Sequence, residues 1–318
     1  SAFSELERQQ FHLRGKLPYN IEDLSQQVLR CYQQFLKKDN NLEKHLYLRS
    51  LHDTNETLFY KLVSQHLTEM LPVLYTPTVG KAVEQFSQEF QRPRGLYIAY
   101  PDRDHIEEII ENRFNSEVDI IVMTDGAGVL GIGDQGIGGM DICIVKSMVY
   151  VLCGGVNPSR LLPIQIDVGT DNEQLLNDPM YLGWRHPRIS GKEYDDMVER
   201  VVLAIQRKLP QAYLHWEDFG RENARRNLER YHQQMCTFND DMQGTGAVTL
   251  VALLSAITRT KVPLTEQRIV IVGAGTAGTG IADQLCAAMR REGLSQQEAL
   301  SRFYLVGRHG LLHQAMPE

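Results

Sequence analysis

From Val118 onward the chain alternates short apolar runs with segments of helical period, and that alternation limits the fold more than any other feature. Val118-Asp119-Ile120-Ile121-Val122-Met123 is too short and too continuously apolar for a surface helix and reads as a strand buried on both faces, ending in Thr124-Asp125-Gly126. Similar runs follow at Val129–Gly133, Leu162–Val168, Tyr213–Trp216, Met235–Phe238, Arg268–Val272 and Phe303–Val306. Helical spacing fills Asp141–Cys153, Gly191–Lys208, Arg221–Tyr231, a long stretch from Met242, and the segment up to about Arg291. Strands separated by helices of this length imply βαβ units and a mostly parallel sheet. The expected class is therefore α/β.

The first hundred residues read as helices. Ile21, Leu24, Val28, Leu29 and Phe35 share one face, and Thr54–Leu67 and Val79–Phe90 behave similarly. Tyr75-Thr76-Pro77-Thr78 has the form of a helix start, with either threonine available as a cap. Thr260–Thr265 carries a proline between a long apolar helix and a fresh strand, so it marks a boundary. Three units are expected: a helical region over 1–115, an α/β unit over 116–262 for substrate and metal, and the start of a Rossmann-type dinucleotide-binding unit over 263–318. One βαβ cannot close a core, so the third unit is expected to continue beyond Glu318.

Composition excludes several partners. The 33 Lys+Arg against 40 Asp+Glu leave a formal charge of −7, which offers no broad attraction for phosphate backbones or anionic lipid. No nucleic-acid or membrane partner is expected, because no run reaches the ~20 apolar residues of a bilayer span. Cys31, Cys143, Cys153, Cys236 and Cys286 are odd in number, scattered and never spaced CxxC. That usage suits a reducing compartment, and a cytoplasmic location is expected.

Gly273-Ala274-Gly275-Thr276-Ala277-Gly278 directly follows an apolar strand and opens a helix. In that context the first glycine makes the tight turn, the second lets backbone approach a pyrophosphate and the third lets helix pack on strand. The diphosphate then rests on free amides at the helix N-terminus. A plain strand–helix turn is the competing reading. The next strand ends Val306-Gly307-Arg308-His309, with no carboxylate for a ribose and with Arg308 beside it. Arg308 is either a 2′-phosphate contact or a solvated charge, so NAD and NADP both stand.

Glu217-Asp218 and Asp240-Asp241 follow neighbouring strands of the expected sheet. Ligands in such sheets bind outside the carboxyl ends of strands, and carboxylates converging there call for a hard cation, Mg²⁺ or Mn²⁺. Glu217, Asp218 and Asp241 also precede helices, where carboxylates are favoured as caps. Lys146 interrupts an apolar helix; it is either a buried base with its pKa lowered toward ~7–8 or a lysine snorkelling to the surface. Seven glycines between Gly126 and Gly139 surround Asp134 and are expected to floor a cleft. Tyr75, one of 13 tyrosines, carries no signal of its own.

Tyr75-Thr76-Pro77-Thr78-Val79-Gly80, Gly131-Ile132-Gly133-Asp134, Glu217-Asp218-Phe219, Phe238–Thr245 and the Gly273 turn resemble, in order and spacing, the malic enzymes. Tyr213–Arg221 and Gly273–Ala282 look most like the malolactic branch; Asp53–Thr57 and the Tyr75 motif look like bacterial malic enzymes proper. The resemblance implies divalent-metal-dependent oxidative decarboxylation of L-malate to pyruvate with NAD or NADP. It implies Tyr75 as general acid, Lys146 as general base with Asp240 alongside, and Glu217, Asp218 and Asp241 as metal ligands. Gly273, Gly275, Thr276, Ala277 and Gly278 would hold the dinucleotide, with Arg308 and Asp241 bordering it. A homodimer or homotetramer is implied, with the helical third in the interface. Two departures stand out. Gly128 occupies the place of a family arginine, as in the malolactic branch, and Gly307 the place of an aspartate. Gly128 keeps open the conversion of malate to lactate with no net NADH, and, with the part of the third unit expected beyond Glu318, an inactive fragment.

Overall fold

The computed structural model describes residues 1–90 and 92–313; the final residues of the unit expected over 263–318 lie outside them. Among the described residues six helices come first: α1 Glu5–Gln10, α2 Leu24–Leu36, α3 Asn41–Thr54, α4 Glu56–Gln65, α5 Leu67–Leu74 and α6 Thr78–Glu84. Capping boxes at Ser4/Glu7 and Asp23/Gln26 start α1 and α2, each satisfying amides the first turn leaves free. α2 buries only Val28, Cys31 and Phe35, whereas Ile21, Leu24 and Leu29 of the expected apolar face stay exposed. It lies on α3 and α4 along a narrow stripe rather than a broad face. Neither threonine caps α6; the Thr78 hydroxyl donates instead to the Pro72 carbonyl at 2.8 Å.

The reading of this region as purely helical fails at β1, Leu96–Ala99, a short strand that joins the main sheet at its edge. That sheet runs β1–β3–β2–β4–β5, with β2 Ile120–Thr124, β3 Leu161–Asp167, β4 Tyr213–Trp216 and β5 Thr237–Asn239, and every pair is parallel. Val129–Gly133 is not a strand. It is a tight loop closed by one bridge between its ends, with Leu130 and Gly133 in left-handed conformation. The helices α7 Ile106–Glu111, α8 Gly139–Gly154, α9 Glu173–Asn177, α10 Gly191–Lys208 and α11 Arg221–Tyr231 follow in order. One face of the sheet packs Ile98, Met123, Ile166 and Trp216 against Tyr194, Val198 and Val201 of α10. The other packs Val122 against Met140, Cys143 and Ile144 of α8 and against the N-terminal helices. Burial on both faces is why the strand segments lack polar alternation.

Gly136–Gly154 is long and apolar enough to cross a membrane by length and composition, more than the sequence reading allowed, yet it is mostly buried inside the protein. A second sheet, β6 Ile269–Val272, β7 Phe303–Gly307 and β8 Gly310–Leu311, follows α12, Thr245–Thr260. Helices α13 Thr276–Arg291 and α14 Gln296–Leu300 connect β6 to β7. Leu250 of α12 shares a core with Leu264, Leu285, Met289 and Ala299. The helix placed before the expected boundary at 262/263 thus shares its interior with the elements placed after it.

Candidate active site

Register brings the site together. Met123 pairs with Trp216 and Trp216 with Asn239, so the residues after β4 and β5 emerge side by side at the carboxyl edge of the sheet. Glu217 and Asp218 leave β4 there; Asp218 adopts a left-handed φ of 55°, a conformation aspartate tolerates better than most residues. After β5 a π-helical turn, Asp240–Gly244, presents Asp240 and Asp241. A Cβ at Gly244 would stand 2.2 Å from Asp240 Oδ1, so a larger residue there would have to displace the Asp240 carboxylate.

Three carboxylates cluster. Oxygens of Glu217, Asp218 and Asp241 lie within 4.8 Å of one another, and Glu217 and Asp218 are each 2% exposed. The Asp218 amide donates to Asp241 Oδ2 at 2.8 Å, and the Leu130 amide to Asp218 Oδ1 at 3.1 Å. Asp218 Oδ2 is buried with no hydrogen-bond partner among the described residues. Burial and the charges of Glu217 and Asp241 push the Asp218 carboxyl well above the usual range. Burial, then Glu217, pushes Asp241 up to about 7. An orphaned buried oxygen beside two further carboxylates that repel it fits a hard divalent cation.

Lys146 projects from the middle of α8 into this cluster. Its Nζ lies 2.7 Å from Asp240 Oδ2, 2.9 Å from Glu217 Oε1 and 4.9 Å from the centre of the Tyr75 ring. Tyr75 donates its hydroxyl to the same Glu217 oxygen at 3.3 Å. The snorkelling reading of Lys146 is therefore excluded, but the lowered pKa is corrected as well. Burial opposes its ammonium form, yet Glu217, Tyr75 and Asp240 outweigh burial and the pKa rises. Burial would raise Glu217, whereas a hydrogen bond from His215 and the Lys146 charge bring it below its ordinary value. Burial, reinforced by Glu217, raises Tyr75 and keeps it a proton-bearing phenol. Tyr75, Lys146, Glu217, Asp218, Asp240 and Asp241 are thus gathered in one place.

His215 is a member of the site that motif reading passed over. Its Nε2 lies 2.5 Å from Glu217 Oε2, and its Nδ1 lies 2.7 Å from the hydroxyl of Tyr150 on α8. The signal was available: alternate residues of a strand share a face, and His215 precedes Glu217 by two. The glycine-rich segment lies against the carboxylates rather than forming a strand beneath them. The Gly128 amide donates to the Asp218 carbonyl at 3.0 Å, and a Cβ at 128 would come within 2.8 Å of the Phe219 carbonyl. Asp134, its acidic centre, pairs with Arg188 at 2.7 Å.

The glycine turn after β6 has the shape a dinucleotide needs. Gly273 has φ 106°, and a Cβ on Gly273 or Gly275 would meet nothing within 4 Å, so backbone there is open to a bulky phosphate group. At Gly278 a Cβ would stand 2.0 Å from the Gly273 carbonyl, so only glycine lets α13 close onto the strand. Thr276 and Ala277 form the first positions of α13, where no side chain among the described residues caps the free amides. Gly280 packs on the turn that carries Asp241, with Met242 backbone 2.5 Å from where its Cβ would be. Arg308 and His309 are exposed in the turn joining β7 to β8.

Residues 52–232 match the family model for the malic enzyme N-terminal domain, and residues 242–318 match that for the malic enzyme NAD-binding domain. The chain is 51% identical over 317 residues to an NAD-dependent malic enzyme of Aeromonas hydrophila, and 52% identical over 317 residues to one of Vibrio parahaemolyticus. Each alignment covers 100% of this chain and 56% of the relative, so the chain spans little more than half the length of these proteins. A solved malic enzyme of Entamoeba histolytica is similar at TM-score 0.49 and 22% identity, over 96% of this chain and 52% of that one. Matched over more than half its length by the N-terminal model and at about 51% identity by named relatives, the chain belongs to the malic enzyme family.

Proposed function

We propose that the protein catalyses the oxidative decarboxylation of L-malate to pyruvate and CO₂ with reduction of NAD. The observation that carries this reading is the convergence of Lys146, Tyr75 and Asp240 on the carboxylate cluster, with Lys146 Nζ 2.9 Å from Glu217 and 2.7 Å from Asp240. Glu217, Asp218 and Asp241 would hold Mg²⁺ or Mn²⁺, which supplies positive charge to polarise the C2 oxygen and stabilise enolate. Gly273, Gly275, Thr276, Ala277 and Gly278 would hold the dinucleotide, whose nicotinamide supplies the two-electron oxidant. The NAD-dependent relatives favour NAD over NADP, with Arg308 as the side chain that a 2′-phosphate would meet.

The chain's own groups divide the proton chemistry. Lys146 takes the proton of the C2 hydroxyl and can pass it to Asp240, already in hydrogen-bond contact. The charge of Glu217 is what chiefly holds Lys146 protonated against burial, and a cation held by Glu217 would offset that charge and favour the neutral base the step requires. Tyr75, retaining its proton through burial, delivers it to C3 after CO₂ departs.

We assign the protein to the cytoplasm, which its five unpaired cysteines support, and to a homodimer or homotetramer. The oligomer is supported by apolar side chains left exposed around the first helices, including Leu6, Phe11, Tyr19, Leu29 and Leu36. The test is an assay with L-malate, Mn²⁺ and each of NAD and NADP. Pyruvate with stoichiometric NADH is expected. Lactate without net NADH would move the protein to the malolactic reaction, and a folded chain that turns over neither would overturn the proposal.

A further inference from the structure

We propose that His215, itself fixed by Tyr150, is the positioning residue that holds Glu217 by one carboxylate oxygen and leaves the other facing Lys146 and Tyr75. This role rests on the reading of Glu217 as a metal ligand. Glu217 faces the Lys146 amine at 2.9 Å and the Tyr75 hydroxyl at 3.3 Å through Oε1, so it is placed as an acceptor, and the 2.5 Å contact at Oε2 puts the proton on His215 Nε2. With Nε2 as the donor, Nδ1 is the ring nitrogen left to accept, and the Tyr150 hydroxyl stands 2.7 Å from it. The chain of donation runs Tyr150 to His215 to Glu217 Oε2. Oε1 remains, 2.9 Å from Lys146 Nζ and 3.3 Å from the Tyr75 hydroxyl. The two oxygens are thereby divided between two tasks.

Glutamate has three rotatable side-chain bonds and two equivalent oxygens, so an unanchored Glu217 would sample several ways of meeting a cation, including one with both oxygens. His215 is 1% exposed and sits on β4, a rigid element two residues before the group it holds. Without it, Oε2 would be left buried and without a donor. His215 is near enough to Glu217 and Asp240 to count with them as a possible ligand set, all three offering atoms within 4.8 Å. Two features oppose that use. Its Nε2 carries the proton, and the Lys146 ammonium already bridges Glu217 Oε1 and Asp240 Oδ2. The geometry makes His215 a donor to a ligand.

The experiment compares Mn²⁺ binding, followed by the electron paramagnetic resonance signal of the free ion, in the full chain and in His215→Leu, His215→Gln and Tyr150→Phe. A glutamine amide can donate from the place of Nε2; leucine cannot. His215→Leu is expected to weaken Mn²⁺ binding ~10–100-fold, the range for removing a group that orients a metal ligand. His215→Gln should recover affinity to within a few-fold, and Tyr150→Phe should weaken it in the same direction by less. In turnover, the Mn²⁺ concentration for half-maximal rate should rise more than the saturated rate falls. Wild-type affinity in His215→Leu overturns the role. So does His215→Gln that is as weak as leucine while its thermal midpoint matches wild type. Nitrogen modulation of a directly bonded imidazole in the spin-echo spectrum of bound Mn²⁺ would make His215 a ligand and also overturns it. If Asp218→Asn abolishes binding while His215→Leu does not, the metal site stands and only this role falls. Absence of Mn²⁺ binding by the unaltered chain removes the site reading and this role together.

Discussion

Lys146 Nζ and Glu217 Oε1 stand 2.9 Å apart, one from the middle of an apolar helix and the other from the tip of a buried strand. This pair sets the charge state of the whole cluster. Lys146 stays an ammonium because Glu217 is charged, and Glu217 stays charged because Lys146 and His215 face it. Asp218 and Asp241, left without such partners, are driven toward the protonated form.

Removing the acid or the base tests the assignment of roles. Lys146→Ala and Tyr75→Phe should each lower malate turnover by ~10²–10⁴-fold, the usual range for a positioned proton-transfer group. Mn²⁺ binding should survive in Tyr75→Phe, whose hydroxyl is not placed among the ligands. Near-normal turnover in Lys146→Ala would discard its role as base.

Cation binding should release protons. Burial and then the Glu217 charge push the Asp241 carboxyl up to about 7, and a cation binds its ionised form, so affinity should fall as pH drops through that region. Between pH 8 and pH 6 the association constant for Mn²⁺ should decline, approaching ~10-fold per pH unit for each proton displaced from Asp241 and Asp218. Titration calorimetry in buffers of different ionisation enthalpy counts the protons. Affinity that is level across this range contradicts the raised carboxyl.

Acid sensitivity should begin well above the carboxylate range. Burial, then the charges of Arg94 and Arg49, lowers buried His52 from 6.5 to about 2. The unfolded chain takes up a proton below pH 6.5 that the folded chain refuses, so this stability is complete above 6.5 and drains away as pH falls toward 2. The slope from this one group approaches about 1.4 kcal/mol per pH unit below 6.5. Urea unfolding between pH 7.5 and 5 should show it, and His52→Gln should flatten the slope there.

Gly128→Arg should be destabilising rather than a simple gain of function. Its Cβ would crowd the Phe219 carbonyl at 2.8 Å and displace the Glu217–Phe219 backbone. A loss of about 1–3 kcal/mol in stability is expected, with weaker Mn²⁺ binding. An arginine variant of wild-type thermal midpoint and wild-type Mn²⁺ affinity contradicts this.

Gly278→Ala places a methyl 2.0 Å from the Gly273 carbonyl and must lift α13 from its strand. NADH binding, followed by its fluorescence, should weaken at least ~10-fold, because the helix amides no longer meet the turn in register. Unchanged binding would remove the Gly273 turn from the dinucleotide site.

Much of this protein was readable from local pattern. Buried strands announce themselves as short apolar runs, and Tyr213–Trp216 was delimited to the residue. The Gly273 turn was readable because each glycine answers a separate steric demand. Glu217–Asp218 and Asp240–Asp241 were readable because strand ends in a parallel sheet share one edge. Where pattern misled, neighbours distant in the chain had the deciding part. Leu96–Ala99 became a strand only because β3 offered an edge, and Val129–Gly133 failed to become one because left-handed residues turned it back on itself. Core sharing between α12 and α13 has no mark in either segment alone. Period, length and turn chemistry are properties of consecutive residues, so the sequence by itself determined the α/β alternation and the glycine cradle. Charge state and side-chain orientation depend on what stands within a few ångströms through space. Tertiary structure alone therefore decided that Lys146 is held as an ammonium and that His215 grips Glu217.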